Sequence, residues 1–158
     1  MSAALFTAAV LSLLGLVASA VIGLTVAAEA DLIRHTTLGL FSTMATLLTH
    51  SLVMFYLIGK TRAIRDAVKD KTLPKDYVAE TIRLRKPVFS ISTFAMAVTM
   101  ITAFLGASVD TRVVPPLIHA VVAYAAIFSN FAAVRSELRA LIGNARIVVE
   151  VDRILRAQ

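Results

Sequence analysis

Four long apolar segments constrain this chain more than any other feature of its sequence. They run over residues 3–28, 32–59, 88–107 and 113–134. Each reaches the roughly 20 residues that an α-helix needs to cross about 30 Å of hydrocarbon. Backbone amides find no water inside a bilayer, so a segment of this kind must be helical. The sequence therefore predicts an all-α bundle of four transmembrane helices.

The first segment has a second interpretation, as a cleaved signal peptide. Ala18-Ser19-Ala20 resembles a cleavage site. A signal peptide carries positive charge before its apolar core, whereas Met1-Ser2 supplies no Lys or Arg. The apolar run also continues beyond Ala20. A retained helix is therefore the favoured interpretation.

The cationic residues are concentrated in two places, residues 60–86 and residues 135–156. Only Arg34 and Arg112 of the 16 Lys and Arg residues lie elsewhere. Cytoplasmic loops of membrane proteins are enriched in Lys and Arg, so this pattern predicts that both termini and a hairpin over residues 60–87 are cytoplasmic. The net charge of +6 flanks apolar runs, which indicates contact with anionic lipid headgroups and argues against nucleic acid. A composition rich in Ala, Val and Arg and free of Cys suggests a bacterial inner membrane.

The second and third helices are expected to extend into the cytoplasm, because apolar residues keep helical spacing on both sides of the hairpin. Thr72-Leu73-Pro74 is predicted to form its turn, since a residue before proline disfavours the helix. Pro87 is predicted to kink the third helix at the membrane edge.

The C-terminal residues 138–158 are predicted to form an amphipathic helical tail, separate from a bundle over residues 1–137. Gly143-Asn144 is interpreted as a local break in this tail. Two roles stay open. The tail either associates with a partner or another copy of the chain, or lies on the bilayer surface or under the bundle. Its apolar residues follow steps of three and four along Leu138, Leu141, Ala145 and Val148, and the pattern resumes at Leu155 after Asp152 interrupts it.

The three histidines are the main candidates for function, because ionisable groups within a span are costly and are usually retained for a purpose. His35 and His50 lie near one face of the second helix, together with Gly39. On the fourth helix His119 shares a face with Asn130 and Glu137. The alternative is that each histidine is bonded to a neighbouring helix or lies at the headgroup level.

Two cofactors are compatible with these residues. A b-type haem would take axial ligands from two of His35, His50 and His119, with Gly39 leaving room for the porphyrin and Asn130 beside it. Met96 and Met100 are alternative sulfur ligands, although their helical spacing is more typical of packing. A quinone would need one histidine, hydroxyl groups and aromatic rings such as Phe41, Phe55, Phe128 and Phe131. A dedicated metal site is disfavoured because no carboxylate is expected at the depth of the histidines.

Three functions follow, in order of preference. The first is a non-enzymatic membrane subunit or scaffold, with the option of one redox ligand, in a homo-oligomer or larger complex joined through the hairpin and tail. The second is an electron carrier that binds haem or quinone. The third is a small transporter or channel, which is disfavoured by the absence of acidic residues within the apolar runs. No Ser-His-Asp arrangement, Cys nucleophile or glycine-rich phosphate loop supports an enzyme.

Overall fold

The computed structural model describes residues 1–70 and 73–157, and these residues form four α-helices. The helices are α1 (Ser2–Gly23), α2 (Glu29–Asp70), α3 (Asp76–Asp110) and α4 (Pro116–Arg156). Each is long and apolar enough to cross a membrane. The predicted all-α class and the four candidate spans are confirmed. Leu73 and Pro74 of the predicted turn are not helical, and Thr72 lies outside the described residues.

The helices form an antiparallel bundle in which each one packs against its neighbours in the sequence. The fourth helix returns to pack against α1, and α2 also contacts α4 across the bundle. Within the described residues α1 and α3 do not touch. Because every second helix in such a bundle points the same way, α2 and α4 run parallel. Residues at equal distances from the starts of α2 and α4 therefore lie at the same level.

Large apolar side chains cover the outside of the bundle, while small and hydroxyl-bearing side chains fill much of its interior. This is the reverse of the distribution in a water-soluble bundle, whose large apolar residues are buried. The buried hydroxyl side chains include those of Ser12, Ser42, Thr46, Ser92 and Thr99. The side chains that are more than half exposed include those of Phe41, Phe55, Phe94, Phe104, Phe128 and Phe131.

Glycines bring the helices close together. A methyl group on Gly15 of α1 would lie 2.5 Å from Oγ of Ser42, and one on Gly143 of α4 would lie 2.6 Å from Cδ1 of Leu84. Such small residues let helix backbones approach without a side chain between them. The helix α4 is continuous through Gly143 and Asn144, so the predicted break there is wrong.

At one end the bundle continues as three helices. Leu5 and Phe6 at the start of α1 pack beside Leu57, whereas α2, α3 and α4 extend further. We call this extension the stalk, formed by residues 60–70, 73–86 and 143–156. Its core is an apolar cluster from all three helices and the turn before α3. The residues predicted to form a separate tail are therefore the last part of α4, and α3 continues through Pro87. The buried members of the cluster are Ile64, Leu73, Ile147 and Val151.

Candidate functional site

A histidine and a glutamate form a buried pair inside the bundle. Nδ1 of His50 lies 2.6 Å from Oε1 of Glu137, and both side chains are 1% exposed. His50 lies 21 residues after Glu29 at the start of α2, and Glu137 lies 21 residues after Pro116 at the start of α4. Because these two helices run parallel, equal offsets bring the two side chains to the same level. The pair thus connects α2 to α4 across the bundle.

Three further polar side chains complete this network. Nε2 of His50 lies 2.8 Å from Oδ1 of Asn130, whose amide nitrogen donates to Oγ1 of Thr99 at 2.7 Å. The hydroxyl of Ser92 donates to Oε1 of Glu137 at 2.9 Å. We call His50, Ser92, Thr99, Asn130 and Glu137 the polar centre. It joins α2, α3 and α4, and each of its members is no more than 1% exposed.

The hydrogen bonds of the polar centre determine where its protons lie. The amide nitrogen of Asn130 also lies 2.7 Å from the carbonyl oxygen of Ala126, which can only accept. The amide oxygen of Asn130 therefore faces His50, so Nε2 of His50 must carry a proton and donate it. The short bond between Nδ1 and Oε1 then holds one more proton. With that proton on either atom, the pair of His50 and Glu137 has no net charge.

The second oxygen of the Glu137 carboxyl group is free to bind a proton. Oε2 is buried and has no hydrogen-bond partner in the protein. Buried polar atoms are seldom left in this state, and those that are often belong to functional groups or bind water. Oε2 is therefore a position at which the pair can accept a second proton.

The other two histidines meet at the opposite end of the bundle. The rings of His35 and His119 contact edge to face, with their centroids 6.0 Å apart. Nδ1 of His35 donates to the carbonyl oxygen of Ser19 at 2.9 Å, while Nδ1 of His119 is buried without a partner. Glycines make room for both rings, since a methyl group on Gly106 would lie 3.2 Å from Cε1 of His119. The 15 residues between His35 and His50 correspond to about 22 Å along α2, so the structure divides the three histidines between two sites.

The residues selected from the sequence do not fit a haem in this arrangement. Both ring nitrogens of His50 are hydrogen-bonded, so neither offers a lone pair to iron. Gly39 does not line a cavity, because a methyl group there would lie 3.0 Å from Oγ of Ser19 on α1. Asn130 lies beside His50 and not beside His35 or His119.

The aromatic side chains selected for a quinone pocket do not surround an interior site. Phe41, Phe55, Phe128 and Phe131 are 60–72% exposed on the outside of the bundle. Met96 and Met100 line an open groove between α2 and α3, where the hydroxyl of Ser51 lies 3.8 Å from the sulfur of Met96. Among the described residues, no group of three or more His, Asp or Glu side chains is arranged to hold a metal ion.

Glu137 is the ionisable residue of the polar centre that the sequence analysis placed on one face with His119 and Asn130 but did not select as a site residue. The expectation that no carboxylate lies at the depth of the histidines was wrong, because Glu137 contacts His50 directly. Glu137 follows the fourth apolar segment by three residues and lies between Arg135 and Arg139. This position is typical of the polar boundary at the end of a span. Its seven-residue spacing from Asn130 was the available signal, since this spacing puts both side chains on one face of α4.

No protein-family model, curated protein or solved structure matches this chain. Its function is therefore inferred from the geometry of the polar centre.

Proposed function

We propose that this chain is an integral membrane proton-relay subunit, which crosses the bilayer four times and takes up and releases a proton at its polar centre. One observation carries the proposal: a fully buried Glu137 is bonded to a fully buried His50 and keeps one carboxyl oxygen without a partner. An ionisable residue inside a transmembrane bundle is costly to keep, and such residues commonly mark proton or ion pathways.

The membrane location is supported by the apolar outer surface of the bundle and by the distribution of cations. Lys and Arg gather at the stalk, and the positive-inside rule then assigns the stalk and both termini to the cytoplasm. The composition suits a bacterial inner membrane. Ten residues separate His50 from Lys60, which corresponds to about 15 Å along α2. On α4, Glu137 lies between the exposed Arg135 and Arg139, so the polar centre is assigned to the cytoplasmic end of the span, inside the bundle and close to the membrane boundary.

The protonation chemistry of the pair suits a relay. At rest the pair is neutral, because one proton is shared between Nδ1 and Oε1, and this limits the cost of keeping it in lipid. Uptake forms an O–H bond at Oε2 and gives the site one positive charge. Release breaks that O–H bond and restores the neutral pair, so no oxidant, reductant or other reactant is needed. Two uncharged amide side chains would form a purely structural contact at this position equally well.

The stalk supports the role of a subunit in a larger assembly. The 41 residues of α4 correspond to about 60 Å, roughly twice the hydrocarbon thickness. An open groove where the stalk joins the rest of the bundle is lined by Tyr77 and Leu84, by the cations Arg139 and Arg146, and by the acids Glu80 and Glu150. We propose that this surface contacts another copy of the chain or a second membrane protein, whose action is coupled to the proton at Glu137.

Infrared spectroscopy of the purified protein in lipid tests the relay directly. The pH-difference spectrum should contain the carbonyl band of a protonated, buried carboxyl group. We expect Glu137→Gln to remove this band and His50→Asn to shift it. Glu150→Gln is the matched control, because it changes an exposed carboxylate on the same helix and should leave the band in place. Superimposable spectra of the wild type and Glu137→Gln would reduce the pair to a structural hydrogen bond.

A further inference from the structure

The two sides of the polar centre differ in polarity. Toward the stalk, the next layer is apolar and tightly packed: Val53 and Leu57 of α2, Val88 of α3, and Ala140 and Leu141 of α4 are at most 3% exposed. Leu5 and Phe6 of α1 pack against this layer. Val53 is three residues beyond His50, and Ala140 is three residues beyond Glu137. The apolar layer thus covers the polar centre directly on its stalk side.

Away from the stalk, buried hydroxyl groups continue the polar interior. On α2 they belong to Thr46, Thr43 and Ser42, which occupy the turns that precede His50. Ser12 of α1 is also buried. Steps of three or four residues keep the hydroxyl groups of α2 on the face of His50, about 5–6 Å apart along the axis. The same face then reaches His35, which is half-buried beside His119 at the end of the bundle.

Three buried polar atoms without a protein partner occur along this route, and a fourth, Oδ1 of Asn144, lies on the stalk side beyond the apolar layer. Oγ1 of Thr46 is buried and has no partner, and Thr46 is 1% exposed. Oε2 of Glu137 is also buried without a partner, and Glu137 is fully buried. Nδ1 of His119, at the far end, is also buried without a partner. In proteins, water molecules commonly satisfy such atoms where the surroundings are polar and have room. Polar atoms that lack a protein partner therefore lie at the beginning of the route, about 6 Å along it and at its far end.

We propose that the polar centre exchanges its proton with the side of the membrane opposite the cytoplasm, through a hydrated file of hydroxyl groups that opens at His35 and His119. The apolar layer closes the cytoplasmic side in this conformation. This inference rests on the proposed proton-binding role of Glu137 and adds the route and the side of access. The groups at the opening are His35 from α2 and His119 from α4, Asp110 is the exposed last residue of α3, and α1 contributes Ser19 and Gly23.

Cysteine accessibility in sealed vesicles of known orientation tests the route, because the chain has no native cysteine. Thr46→Cys and Thr43→Cys place a thiol in the file, and Leu57→Cys places one in the apolar layer. The probe is a small, membrane-impermeant methanethiosulfonate reagent, added to one side at a time. We expect both threonine variants to react only from the side opposite the stalk, and Leu57→Cys to resist the reagent from either side. Two file positions are used so that a folding defect in one variant leaves the other informative.

The outcomes separate the route from the function on which it rests. Reaction of the threonine variants from the stalk side, or from neither side, would overturn the route. Reaction of Leu57→Cys from the stalk side would overturn the closure. The infrared band of Glu137 is measured independently, so the relay can survive the loss of this route. If the band is absent while the threonine variants are accessible, the file is hydrated but does not serve a proton site.

Discussion

At the scale of single residues, the stability of the polar centre depends on the mutual presence of His50 and Glu137. Each side chain is buried, and each satisfies the hydrogen bonding of the other at 2.6 Å. Removing one partner from such a pair is costly because the remaining ionisable group stays buried without compensation. Removing both side chains leaves no buried ionisable group without a partner.

This dependence predicts a strongly non-additive double-mutant cycle. We expect His50→Leu and Glu137→Leu each to lower the free energy of unfolding by about 3–5 kcal/mol. The double variant should be more stable than either single variant, because two apolar side chains can pack together there. Unfolding titrations of the reconstituted protein measure these energies. Glu150→Leu, on the exposed surface of α4, is the control and should change stability little. Additive losses would show that the two residues act independently.

The sequence identified His50 and Asn130 as site residues but did not select Glu137, the carboxylate partner of His50, for a physical reason. Hydropathy describes the average of a segment, whereas burial depends on the face of the helix to which a residue belongs. Arg135 and Arg139 point outward and Glu137 points inward, although all three lie within five residues. Pairing with His50 also depends on the level of α4 relative to α2, which follows from tertiary packing.

At the scale of elements, the small residues of α1 and α2 determine how closely these two helices pack. Gly15 faces Ser42, and Gly39 faces Ser19, so each helix contributes a glycine at a point where the other contributes a serine. Gly59 of α2 differs, because a methyl group there would meet no atom within 4 Å. The same residue type thus has opposite structural consequences at two positions.

The contrast between these glycines gives a matched pair of variants. We expect Gly15→Ala to destabilise the protein, because the new methyl group would lie 2.5 Å from Oγ and 3.2 Å from Cβ of the short Ser42 side chain. Gly59→Ala should raise the free energy of unfolding by about 0.5–1 kcal/mol, because alanine favours the helix. Unfolding titrations of both variants under the same conditions check the prediction. A stabilised Gly15→Ala variant would mean that α1 and α2 pack less closely than described.

The existence and order of the helices could be predicted from apolar length, but the course of α4 could not. The pair Gly143-Asn144 is typical of a helix end, but it is equally typical of a position where two helices pack closely. In the structure Leu84 of α3 packs against Gly143, and Asn144 donates to the carbonyl oxygen of Ala140 within the helix. Tertiary packing therefore decides between the two interpretations.

At the scale of the whole molecule, the proposed topology places the stalk on one side of the membrane and the two short turns on the other. Thr111 is exposed in the turn between α3 and α4, and Glu80 is exposed in the stalk. In intact cells, an impermeant maleimide should label Thr111→Cys and should label Glu80→Cys only after lysis. Ala157→Cys should behave as Glu80→Cys does. Labelling of Thr111→Cys and Glu80→Cys from the same side would contradict the four-span topology.

The stalk is also the proposed contact with a partner or a second copy of the chain. We expect deletion of residues 143–158 to reduce the size of the complex recovered in mild detergent, because it removes Ile147 and Val151 from the stalk core. The double variant Arg139→Glu and Arg146→Glu keeps that core and makes the groove strongly acidic, because Glu80 and Glu150 also line it, so it separates docking from folding. Size-exclusion chromatography measures the result. An unchanged complex with both variants would exclude the stalk as the contact surface.

The pair of His50 and Glu137 also limits how the helices can be arranged during assembly. Helices with uniformly apolar surfaces can slide past one another in lipid with little change in energy. A displacement of α4 by one turn, about 5.4 Å, would separate Glu137 from His50 and leave two buried ionisable groups without their partners. Misaligned bundles are thereby less stable, and the two side chains proposed to bind the proton also select a single alignment of α2 and α4.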